Sequence, residues 1–289
     1  MARKISNTFL KELTENSLTQ ILNYVKYDDT LDMELRGESV MIYYRGGKIL
    51  EIKDKSYELV GLDEGYLLGK IIENPTLKTI EDYFPKAKHF IDCYVLIERS
   101  QWEKEIQQRI VQENNYSDNS NDTDFFIIDM EYQDIGRADI VALRWDSTGH
   151  ARKLPSNYKP KITIFEVKQG IDSISGKSGM YSHLKDFNDF IADKKRVDDF
   201  KQDMIDVFQQ KRKLGLIRPI NDNKHEVTKV DVEIDFIFIL ANYKSASKNL
   251  IKELSLIPDC KFIYANPMGY GLCAKNIFNK ADFIKLFMN

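Results

Sequence analysis

Apolar residues recur along this chain at two different spacings, and the changes from one to the other mark out its elements. Between residues 7 and 24, Phe9, Leu13, Leu18, Ile21 and Leu22 form one stripe at helical spacing, which predicts an amphipathic helix. Over residues 35–53 the runs Met41-Ile42-Tyr43-Tyr44-Arg45 and Lys48-Ile49-Leu50-Glu51-Ile52 flank Gly46-Gly47. That arrangement predicts a hairpin, because glycine takes a positive φ at little cost. Helical signal resumes near Thr79, with Pro85 as a candidate interruption. Over residues 93–112, Trp102, Ile106 and Ile110 line one face of a further helix.

The second half reads differently. The polar run over residues 114–124 reads as a flexible connection. Three strands are predicted over residues 125–133, 137–145 and 161–168, with a loop rich in Gly, Pro, Ser and Asn over 147–160. Residues 170–179 read as a flexible bridge into a helical region over 180–214. A strand follows over 232–243. Its continuous apolar stretch from Phe236 to Ala241 fits burial on both faces. Residues 245–256 predict a short helix capped by Ser245 or Ser247. Residues 261–265 and 271–274 predict a last strand or hairpin broken by Asn266-Pro267-Met268-Gly269. No internal repeat is evident. The pattern predicts two domains: an α+β region over residues 1–92 with no recognisable chemistry, and a larger α/β domain over 93–289.

Composition changes this picture little. A hydrophobic content of 43% over 289 residues is that of an ordinary globular protein and argues against dominant disorder. No apolar run approaches the roughly 20 residues of a membrane helix, and the N-terminus leads into a polar helix, so no membrane is expected and the cytoplasm is the expected location. Cys93, Cys260 and Cys273 are odd in number and lack metal-type spacing, which argues against a disulfide scaffold or a zinc ribbon. The net charge of -3 argues against a wholly basic phosphate-binding surface. Basic clusters still occur at Arg152, Lys153, Lys159 and Lys161, at Lys194-Lys195-Arg196 and at Lys211-Arg212-Lys213.

The chemistry concentrates in the three central strands. Side chains alternate faces along a strand, so Glu166 and Lys168 of Phe165-Glu166-Val167-Lys168 project together while Phe165 and Val167 project oppositely. Asp139 opens the preceding apolar strand. The interval to Glu166 is room for one loop and a return strand, so Asp139 can reach the same metal ion. A second Glu-x-Lys triplet, Glu51-Ile52-Lys53, ends a predicted hairpin and lacks an apolar strand with a leading acid before it, although Asp32 lies upstream. Glu131 shares a face with Asp129 and Ile127 in the first strand, while Phe126, Ile128 and Met130 occupy the other. It adds a fourth acid if that face is the cleft, and nothing if it is solvent.

With an apolar strand around each part, Asp139, Glu166 and Lys168 resemble the PD-(D/E)xK nuclease superfamily, with Ala138 where the family's name has proline. The resemblance runs from about Tyr94 to the C-terminus and includes the order of elements. It implies an α/β restriction-endonuclease-like core, αβββαβ, with a mixed central sheet flanked by helices. It also implies a DNA-cleaving enzyme using Mg²⁺, with Mn²⁺ as substitute. Asp139, Glu166 and the Val167 carbonyl would bind the ion, and Glu103 would join from the first helix ahead of Glu105. Lys168 would orient the attacking water or help deprotonate it, and offset charge on the phosphate. Gln169 would lie beside the cluster, and Tyr181, His183 and Lys185 would contact phosphate or the strand. A homodimer is expected for two-stranded cutting, and residues 1–92 are a candidate site for a protein partner. The alternative readings are an inactive nuclease-like module that binds nucleic acid or protein, and a hydrolase of small phosphate esters.

Overall fold

A computed structural model of the chain describes residues 2–98, 102–136, 138–153, 159–169, 174–175, 179–220, 225–242, 248–266 and 269–288. The fold is α/β and divides into two units. One comprises Met1–Ser117 with Asp206–Asp222, the other Asp118–Ile205 with Asn223–Asn289. The division thus departs from the expected boundary after residue 92.

Within the first unit, the predicted helix over residues 7–24 is two helices, α1 (Asn7–Glu15) and α2 (Thr19–Tyr27). The Ser6 hydroxyl accepts from the Phe9 N–H and caps α1. An antiparallel sheet follows in the order β1 (Leu31–Leu35), β2 (Ser39–Tyr44), β3 (Gly47–Lys53), β4 (Leu59–Val60). The predicted hairpin is present, but its turn lies one residue early. Arg45 (φ 48°) and Gly46 (φ 76°) both take the left-handed conformation that a two-residue hairpin turn requires. Helix α3 (Ile80–Glu98) runs through Pro85, and α4 spans Trp102–Val111, so the helix predicted over 93–112 is the end of one helix and the body of another. Residue 108 explains why α4 belongs here. The Gln108 amide donates to the carbonyls of Thr30 and Tyr43 and accepts from the Gly46 N–H, so it satisfies the hairpin's backbone.

The polar run predicted to be a flexible connection is structured. A π-helical turn covers Gln112–Tyr116 and a 3₁₀ turn Asp118–Asn121. Asn114, Asn115 and Tyr116 are buried in the first unit. Their polarity is used internally, as Asn114 Nδ2 donates to the Ile110 carbonyl and the Tyr116 hydroxyl donates to Asp32 Oδ1.

The second unit is built on a mixed sheet of β5 (Phe125–Tyr132), β6 (Ala138–Arg144), β7 (Lys161–Gln169), β8 (Ile234–Ala241), β9 (Lys261–Ala265) and β10 (Phe278–Asn279), in the order β10-β9-β8-β7-β6-β5. Strands β5, β6 and β7 are antiparallel; β7, β8 and β9 are parallel. The helices are α5 (Gly149–Lys153), α6 (Met180–Ala192), α7 (Lys194–Leu214), α8 (Lys248–Leu256) and α9 (Lys280–Met288), with the last turns of α7 counted in the first unit. Met180 and Leu184 of α6, Leu250 and Leu254 of α8 and Phe283 of α9 pack with Phe238, Leu240 and Phe262 on one sheet face.

Two predictions fail near the C-terminus. Residues 271–274 form no strand. The Asp124 N–H donates to the Leu272 carbonyl and Asp124 Oδ2 accepts from the Ala274 N–H, which ties this segment to the start of β5. The last strand is β10, and the unpredicted helix α9 follows it. Arg137, Ser245, Ser247 and most of residues 170–179 lie outside the described residues. Among the described residues, no helix is long and apolar enough to cross a membrane.

Candidate functional site

The register of β6 and β7 positions the acids. Their last matched pair is Ile140 with Phe165, and continuing the antiparallel count puts Asp139 opposite Glu166. There the ladder gives way to a side chain, because the Val167 N–H donates to Asp139 Oδ2 at 2.7 Å. In a strand, the N–H and C=O of one residue leave on the same side. The Val167 carbonyl is therefore directed toward β6, the side from which Asp139 approaches.

Glu166 and Lys168 pair in register with Phe238 and Leu240, so all four share the face covered by α6. Lys168 Nζ donates to Glu166 Oε1 at 2.7 Å, and His183 Nε2 lies 3.0 Å from the same oxygen. Asp139, Glu166 and Lys168 are 8%, 3% and 4% exposed. An apolar sheet face that carries two acids and a lysine at this depth is costly unless the charges compensate one another. Here they do so in part through the Lys168 contact.

A β-bulge corrects the expectation for β5. Ile127 pairs with Ala142, but Asp129 pairs with Val141, so the inserted residue places Ile127 and Asp129 on opposite faces. Asp129 is thereby buried on the face of Asp139. Glu131 follows at the end of the strand, half-buried and in the left-handed conformation (φ 53°). The turn beyond it packs on α6, where a Cβ added at Gly136 (φ 54°) would lie 2.6 Å from Asp186 Oδ2.

The residues expected by resemblance separate on this geometry. His183 reaches Glu166, whereas Tyr181 is exposed and Lys185 is exposed beside Asp189 at 3.9 Å. Gln169 is half-buried at the end of β7. Glu103 lies on α4 in the first unit and is half-buried. Its neighbour Glu105, ranked below it from helical angle, is the more buried and takes ion pairs from Arg45 and Arg109.

The basic clusters separate too. Arg152 donates to the carbonyls of Thr123, Trp145 and Asp146 and stacks on Phe126, a structural role. Lys161 pairs with Glu233 and Asp235. Lys211 is fully buried against Glu34, and Arg212 is buried with its Nε on the Ile220 carbonyl. Lys159, Lys194 and Lys195 remain exposed.

Among the described residues, no three or more His, Cys, Asp or Glu side chains are grouped to hold a metal ion. Asp139 and Glu166 offer hard oxygen ligands from neighbouring strands, with the Val167 carbonyl directed toward β6. Two carboxylates are too few to enclose zinc or calcium; Mg²⁺ is the ion commonly held by only one or two, with water and phosphate completing its shell.

No protein-family model, curated protein or solved structure matches this chain.

Proposed function

We propose that the second unit is a restriction-endonuclease-like core and that the protein is a Mg²⁺-dependent nuclease hydrolysing phosphodiester bonds in DNA. The reading is carried by the juxtaposition of Asp139, Glu166 and Lys168 on one face of β6 and β7, where the strand ladder opens. Asp139 and Glu166 would hold the ion with the Val167 carbonyl. The ion, when bound, would polarise the phosphate and lower the pKa of a coordinated water. The other steps belong to the chain. Lys168, held beside Glu166, offsets the charge that grows on the phosphate oxygens as water attacks phosphorus. The attacking water gives up its proton to solvent, the P–O ester bond breaks and the leaving oxygen takes a proton from solvent. Lys159, Lys194 and Lys195 are among the exposed cations described in the second unit and would be available for backbone phosphates.

Purified protein is expected to cut DNA with Mg²⁺ or Mn²⁺ and to stop on chelation. Asp139→Ala, Glu166→Ala and Lys168→Ala should each abolish cutting while circular dichroism stays unchanged. Undiminished cleavage by all three variants would refute the assignment. The presence of two rather than three grouped acids favours a second reading, an inactive nuclease-like module that binds nucleic acid or a protein. That reading requires Mn²⁺ to leave the melting temperature unmoved, since a ligand specific for the folded state raises it.

A further inference from the structure

Glu166 Oε1 is the meeting point of two donors from different elements. Lys168 reaches it from two residues along β7 at 2.7 Å, and His183 reaches it from α6 at 3.0 Å. A carboxylate has no proton to give, so a hydrogen bond between Glu166 and His183 requires the proton to sit on His183 Nε2. The two donors differ in what they constrain. Lys168 has a flexible stem on the same strand as its acceptor and can follow the carboxylate through several rotamers. His183 is a short planar group whose backbone is fixed by the packing of α6, where Met180 and Leu184 are buried against Phe238 and Leu240. The turn at Gly136 approaches α6 closely, since a Cβ added there would lie 2.6 Å from Asp186 Oδ2.

We propose that His183 is a positioning residue that sets the orientation of the Glu166 carboxylate toward Asp139, and so couples the placement of α6 to the affinity of the acid pair for a divalent cation. This deepens the nuclease reading and rests on it for the cation, although the contact between His183 and Glu166 stands without it. Without His183, the Glu166 carboxylate can turn fully onto Lys168, which turns a ligand away from Asp139. Residues that orient a ligand from behind typically carry a 10–100-fold effect on metal affinity or activity, and the loss of His183 is expected within that range.

The test has two arms on the full chain. In the first, long-range ¹H–¹⁵N spectra of metal-free protein report the His183 ring, assigned by its absence in His183→Gln. Nε2 is expected to be protonated, and Glu166→Ala is expected to shift that resonance. An identical His183 signal in wild type and Glu166→Ala would overturn the proposal. In the second, Mn²⁺ is titrated and followed by electron paramagnetic resonance. His183→Leu should weaken binding about 10–100-fold, and His183→Gln, which keeps a donor, should recover most of it. DNA cleavage by His183→Leu should fall in kcat with KM unchanged, which a purely structural role would not produce. Wild-type affinity in His183→Leu, with Asp139→Ala abolishing binding, would overturn the proposal and leave the nuclease reading intact. If wild type binds no Mn²⁺, the nuclease reading fails and the coupling to a cation fails with it, while the first arm still decides whether His183 orients Glu166.

Discussion

Two charged contacts in the first unit lead to predictions at the scale of single residues. Lys211 and Glu34 are both fully buried, 2.6 Å apart. Burial raises the Glu34 carboxyl, an effect that the Lys211 ammonium opposes. Removing one partner of a buried pair costs about 3–5 kcal/mol, and loss of Lys211 would leave Glu34 with only the longer contact to Arg36 at 3.6 Å. Lys211→Met should therefore lower the urea midpoint sharply, and Glu34→Gln in the same chain should recover a large part of the loss. Equal stability of the single and double variants would contradict this. Nothing in the run Lys211-Arg212-Lys213 distinguishes this lysine from a solvated or phosphate-binding one, because only the fold supplies Glu34. Asp28 gives a pH prediction. Burial by itself would raise its carboxyl, but hydrogen bonds from Lys88 and Thr30 bring it below its ordinary 3.8. A folded-state value below the unfolded one means the stabilisation is present above the unfolded value and is lost as pH falls through the lower one. Acid titration of unfolding stability should therefore be flatter in Asp28→Asn than in wild type below about pH 4.

At the scale of elements, the site depends on where ladders stop. The opening between β6 and β7 lies just past Ile140 and Phe165, and the bulge in β5 turns Asp129 onto the same face. The alternation of Glu166 and Lys168 was legible in the sequence because β7 is regular throughout its length. The faces of β5 were not, since a single inserted residue reverses parity and leaves no mark in the apolar pattern of Phe126, Ile127 and Ile128. The contact of His183 with Glu166 was equally hidden, because it depends on the packing of α6. Turn chemistry was legible at Gly46-Gly47, but only the structure separates their duties. Gly46 takes φ 76° and sits so close to α4 that an added Cβ would lie 2.6 Å from Lys104 Cβ and 2.7 Å from its backbone carbon. Gly46→Ala should destabilise the protein by more than about 1 kcal/mol, the usual scale of a Gly-to-Ala change at a compatible site, because the new methyl meets both a strained φ and backbone. Gly65→Ala, whose added Cβ meets nothing within 4 Å, is the matched control in thermal melting.

At the scale of the whole molecule, the first unit is discontinuous in sequence. Apolar periodicity predicts elements but not which later segment returns to an earlier one, so the boundary after residue 92 followed the chain rather than its contacts. What residues 206–222 supply to the first unit is specific. Gln210 accepts from the Ile5 N–H and donates to the Ile5 carbonyl, Lys211 neutralises Glu34, and Arg218 donates to the carbonyls of Tyr116 and Lys26. A fragment of residues 1–117 would have to bury Glu34 with no Lys211 and leave the Ile5 amide without its partners. Each stranded buried polar group costs about 1–3 kcal/mol and a charged one more, which together consume much of the roughly 5–15 kcal/mol that holds a domain. The fragment 1–117 is therefore expected to lack a cooperative thermal transition, and joining residues 206–222 to its C-terminus through a flexible glycine-serine linker should restore one. Cooperative melting of 1–117 by itself, at the temperature of the intact chain, would show that the returning segment only rests on a unit already complete. Restoration that survives Lys211→Met with Gln210→Ala would place the stabilisation in apolar contacts of α7 instead.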